Sequence, residues 1–204
     1  NPQRAGEVQA TGYSLDNIIV LNGGDSNLVP NAGQELPDAV GQQRVLALIT
    51  DMSDAKSPVT IAEVERVLFA SSSPFQIYYK TQSYGKAWFT GKAYKISLNR
   101  PVDRRNNSCG SGVSLNDPDV YEAIKGQGID LGKYDRVLFI PEIGYCSYVG
   151  RFQHTFPDGS RYKLSESWVG WGHFSDPKNS RRLDETLAHE IGHALGVMHA
   201  NYLD

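Results

Sequence analysis

Residues 187–200 read LAHEIGHALGVMHA. From Ser180 onward, Leu183, Leu187, Ile191 and Ala194 recur at three- and four-residue intervals, so a helix through this stretch turns one apolar stripe toward a core. His189 and His193 fall on a different face. Four residues advance a helix by only about 40° beyond a full turn, so the two imidazoles project side by side with Glu190 between them in sequence. Gly196 can take the positive φ that ends a helix, which lets the chain turn back and present His199 from outside it.

The full pattern is H-E-x-x-H-x-x-G-x-x-H. Three neutral imidazoles suit a tetrahedral zinc site whose fourth position stays open for water, the arrangement of a catalytic rather than a structural zinc. One zinc ion per chain is therefore expected on His189, His193 and His199, with Glu190 placed to reach the water. The bland alternative is a helix with surface histidines. HExxH alone arises by chance roughly once in a few hundred chains of this length, and the added Gly and third His cut that by several hundred-fold. His154 and His173 lie outside the pattern and read as ordinary loop or strand histidines.

Working back toward the amino terminus, QRVLALIT at residues 43–50 is a nearly continuous apolar run of the kind buried in a sheet. Thr60 with Glu63 makes a capping box ahead of Ile61, Val64, Val67 and Leu68 at helical spacing. Ser73-Pro74 opens a second helix that stops by Gly85. KAWFTGKAYKISL, residues 86–98, has strand character, with Gly91 read as a bulge or turn. Asp117-Pro118 starts a short helix, and RVLFI at 136–140 is another buried strand. Residues 141–161 read as loop-rich. SESWVGWGHF follows at 165–174, and its Trp168, Val169 and Trp171 are expected on an exposed sheet edge. Strands thus alternate with helices, an α/β-like pattern within an α+β fold.

Residues 1–41 are rich in Gly, Asn, Pro and Gln around one apolar run, NIIVL, and read as a linker or pro-segment tail. Residues 42–204 read as the main domain. The 204 residues carry 23 acidic and 20 basic side chains, a net charge of -3, and so give no global signal for nucleic acid or an anionic membrane. No apolar run approaches the roughly 20 residues that cross a bilayer. Cys109 and Cys146 are the only cysteines. Both stand in Gly/Ser-rich stretches, where a disulfide between them fits an exported chain and would stabilise it by roughly 4 kcal/mol. Reduced, buried thiols are the intracellular alternative.

The long histidine motif resembles that of the metzincin zinc peptidases. Within that clan the chain is most similar to the gametolysin-like (autolysin-type) metallopeptidases, on QIYYKTQSYGKAWFTGKAY (76–94), YDRVLFIPEIGYCSYVG (134–150), SWVGW (167–171) and LAHEIGHALGVMHANYLD (187–204). The resemblance implies a zincin fold with a twisted mixed sheet, backing helices and a carboxyl-terminal active-site helix. It implies zinc on His189, His193 and His199, Glu190 as general base and acid, and hydrolysis of extracellular or cell-wall protein by a secreted, periplasmic or cell-surface enzyme. It also implies that Ser167, Trp168, Val169, Gly170 and Trp171 border the cleft and pair with an extended peptide substrate. A pro-segment or inhibitor could occupy the same cleft, with Asp25 in LNGGDSN as a removable ligand or, more simply, a surface turn.

One departure stands out. Metzincins carry a Met-containing turn after the third histidine, whereas the methionines here are Met52 and Met198. The lower subdomain with that turn is expected to be absent from this sequence. A catalytically silent zinc-binding or protein-binding module, or an inactive fragment of a longer metallopeptidase, is the alternative function.

Overall fold

Two short strands, β1 (Ser14–Leu15) and β2 (Ile18–Ile19), pair antiparallel ahead of the main sheet. The computed structural model describes these and residues 39–103, 113–142, 145–147, 151–175 and 180–196. The apolar run at 43–50 becomes the heart of β3 (Gly41–Asp51), followed by α1 (Ile61–Phe69), α2 (Pro74–Gln82) and β4 (Ala87–Ser97). Next come α3 (Pro118–Gly126), a 3-10 turn at Leu131–Lys133, β5 (Arg136–Ile140), β6 (Tyr145–Ser147), β7 (Phe152–Thr155) and β8 (Arg161–Val169). A single helical turn, α4 (Gly172–Ser175), leads to α5 (Ser180–Ala194).

The helix starts follow local chemistry. Thr60 Oγ1 accepts the Glu63 amide at 3.2 Å and Ser73 Oγ accepts the Gln76 amide at 3.2 Å, each satisfying a donor that the first helical turn leaves open. Helix α2 ends before Gly85, whose φ of 78° lets its amide close on the Lys80 carbonyl at 2.6 Å. Buried Gln76 then joins three elements. Its amide nitrogen donates to the carbonyls of Leu68 and Phe89, and its oxygen accepts the Phe89 amide.

Five strands form a mixed sheet in the order β4-β3-β5-β8-β6, and β7 pairs with the first part of β8. All neighbours on the main path are parallel except β6, which runs antiparallel to β8. The connections from β3 to β4 and from β4 to β5 travel in opposite directions across the sheet, so crossovers of one hand put their helices on opposite faces. Side chains alternate accordingly. Val45, Ala47, Ile49, Leu138 and Ile140 pack with α1, α2 and α5, while Leu46, Leu48, Val137, Phe139 and Trp168 face α3.

Three expectations need correction. Gly91 is neither bulge nor turn: it pairs in register with Val45 inside an unbroken strand, and a Cβ there would run into the Val45 carbonyl and the Phe69 ring. Residues 141–161 include β6 and β7, and the hairpin from β7 to β8 turns through Asp158-Gly159, with φ of 82° at Gly159. The SWVGW stretch is not an exposed edge. Ser167, Trp168 and Val169 lie in β8, hydrogen-bonded to β5 on one side and β6 on the other, and all three are buried. Among the described residues no helix is long and apolar enough to cross a membrane.

Candidate metal centre

Helix α5 packs against β8, β6 and α2. Its apolar stripe, Leu183, Leu187, Ile191, Ala194 and then Leu195, is buried as the spacing requires. That stripe fixes the rotation of the helix. His189 is exposed and His193 half-buried on the other side, which leaves both imidazoles facing outward. Their Nε2 atoms approach to 3.1 Å, with the rings at 85° and centroids 4.6 Å apart.

Two nitrogens each about 2.0–2.1 Å from one zinc ion at the tetrahedral angle stand roughly 3.3 Å apart. The observed separation fits that edge. Glu190 is 3 % exposed, and burial pushes its carboxyl up to about 7. A carboxyl near neutrality suits a group that must take and return a proton at ordinary pH. Among the described residues no group of three His, Cys, Asp or Glu side chains could hold a metal ion. His199 lies outside the described residues, as do Cys109 and Asp25.

The end of α5 is fully accounted for. A helix leaves its last four carbonyls without helical partners unless the following turn or side chains supply them. Here the Leu195 amide serves the Ile191 and Gly192 carbonyls, the Gly196 amide reaches the His193 carbonyl at 2.8 Å, and Arg136 Nη1 donates to the Ala194 carbonyl at 2.6 Å. Gly196 has a φ of 91°, the left-handed conformation expected of it. Nearer the centre of the helix, Tyr79 Oη donates to the Ala188 carbonyl at 2.6 Å, and burial raises the phenol pKa far above its ordinary value.

Sequence reasoning brought His189, Glu190 and His193 together on one helix, and it missed the residues that hold that helix. Arg136 looked like a strand residue beside VLFI, and only a charged residue abutting a fully apolar run hinted at a special partner. The sheet edge beside α5 was also missed. That edge is β6, which among the described residues pairs only with β8 and lies against α5. The stretch carrying it, GYCSYVG, has too many small and polar residues to read as a strand. Trp171, after β8, donates its amide to the Pro141 carbonyl and packs partly buried against the core shared with α5. No protein-family model matches the chain, and no curated protein matches it.

Proposed function

We propose that the chain is a zinc-dependent endopeptidase of the metzincin type, most similar to the gametolysin-like family, acting outside the cell on protein substrates. The observation that carries this reading is the convergence of the His189 and His193 Nε2 atoms to 3.1 Å beside a buried Glu190. His189 and His193, with His199 from beyond the Gly196 turn, would hold one zinc ion. When bound, zinc supplies Lewis acidity toward a peptide carbonyl and toward water, whose pKa it brings to about 7.

Glu190 takes a proton from the attacking water and returns it to the departing amine, so the peptide bond breaks with the proton balance closed on one side chain. The half-buried and exposed faces of the two imidazoles leave an approach for an extended chain. The open edge of β6, beside α5, can receive that chain by strand addition, in which backbone hydrogen bonds fix its direction. The sheet order supports this reading, since the antiparallel edge strand is the one next to the histidine helix.

Hydrolysis of casein tests the proposal. The unaltered chain should cleave it, a chelator should stop cleavage, and added zinc should restore it. Glu190→Gln should keep zinc while losing at least about 100-fold in kcat, within the range that a positioned proton-transfer group contributes. Zinc binding without cleavage by the unaltered chain would favour a silent binding module instead.

A further inference from the structure

Arg136 is the largest charged side chain fully buried in the sheet, at 1 % exposure. Burying a guanidinium is costly unless its donors are met. They are met by the contacts of three separate elements. Its Nε and Nη2 donate to Gln43 Oε1 at 3.2 and 2.6 Å, and its Nη1 donates to Ser165 Oγ at 3.1 Å and to the Ala194 carbonyl at 2.6 Å. Gln43 lies on β3 and Ser165 on β8, the strands either side of β5. The guanidinium is thus fixed to three adjacent strands before it touches α5.

The helix end it touches carries partial negative charge from the aligned peptide dipoles, so a cation is favoured there, and more so with water excluded. Ala194 directly follows His193, and two residues later Gly196 turns the chain out of the helix. We propose that Arg136 is a positioning residue for the metal centre. It anchors the last turn of α5 to the sheet, and so sets the His193 imidazole and the start of the turn at Gly196. This inference rests on the zinc-site reading. A short hydrogen bond to the backbone, unlike packing alone, restrains the turn along the helix axis as well as across it, because the donor–acceptor distance and angle are both limited.

The test compares zinc affinity, by chelator competition, and the visible spectrum of the cobalt-loaded protein, in the full chain and its variants. Arg136→Met should bind zinc at least about 10-fold more weakly, the lower end of what losing a supporting residue around a metal costs, and its cobalt spectrum should lose the intensity of a four-coordinate site. Arg136→Lys should recover part of that affinity. Phe139→Leu, on the same strand but the opposite face, should lower Tm while leaving zinc affinity within about 2-fold. If Arg136→Met does not fold, Gln43→Met releases the guanidinium without removing it and should weaken zinc binding about 3-fold. Unchanged affinity in whichever of these two variants folds overturns the inference, as does an equal loss in Phe139→Leu. Failure of the unaltered chain to bind zinc overturns the zinc-site reading and this inference together.

Discussion

Strand β5 has two neighbours of opposite character. On one face Phe139 stacks on Trp168, with centroids 5.8 Å apart, in an apolar layer closed by α3. On the other, three residues earlier, Arg136 reaches through the core to a helix carbonyl. Both faces are closed by apolar packing, but on the α5 face hydrogen bonds from Arg136 and Tyr79 to helix carbonyls are added to it. The difference separates packing, which both faces share, from the contacts that fix the position of the histidine helix. Changes on the α3 face should cost folding energy without altering the histidine helix, whereas loss of the Arg136 or Tyr79 hydrogen bond should alter that helix beyond its cost in stability.

The largest effect on that contrast is expected from Phe139→Ala. Truncating a fully buried aromatic ring removes about 3–5 kcal/mol of stability, measurable as a large fall in Tm or denaturant midpoint. The folded fraction should keep its zinc affinity. A loss of affinity with temperature well below the transition would mean that the two faces are coupled.

Next comes Glu166, buried on the α3 face of β8, where its Oε1 accepts the Leu115 amide at 2.5 Å. Burial pushes its carboxyl up to about 7, partly opposed by that hydrogen bond. The folded value lies above the ordinary carboxyl value, so the protonated form favours folding. Stability from this group is complete below about pH 4.5 and is lost as pH rises through 7, a span corresponding to roughly 3 kcal/mol. Glu166→Gln keeps an oxygen for the Leu115 amide and removes the titration. Its Tm relative to the unaltered protein should rise between about pH 4.5 and 7 and level off above that. A constant difference would show that Glu166 does not titrate in that window.

The smallest change falls on the other face. Tyr79→Phe keeps the ring against Phe75 and Phe89 but deletes the hydroxyl that holds the Ala188 carbonyl. It should cost about 1 kcal/mol of stability, the usual worth of one hydrogen bond, yet weaken zinc binding several-fold. A variant that loses stability and keeps full affinity would erase the contrast between the faces.

The contrast also explains which parts of the molecule were legible in its sequence. The buried strands at 43–50 and 136–140 and the helix stripe of Leu183, Leu187 and Ile191 are recognisable because packing imposes a period on residue type. His189 and His193 are recognisable because the helix repeat alone sets them side by side. Gly91 reads as a bulge or turn because its actual cause, a close approach by the neighbouring strand's backbone, leaves no local signature. Trp168 and Val169 read as edge residues in the sequence because a strand buried from both sides and an amphipathic edge strand can share the same few residues. Strand β6 escaped because three residues supply no period at all. Arg136 and Tyr79 act through backbone carbonyls far away in sequence, and a carbonyl is the same in every residue type.

Everything proposed for the α5 face depends on His189 and His193 sharing one zinc ion. Metal analysis of protein purified without chelator, compared with His193→Ala prepared identically, tests it most directly. One zinc per chain is expected in the unaltered protein and, in the variant, a loss that added zinc does not restore. Equal zinc content in the two proteins, or none in either after zinc is supplied, would contradict it.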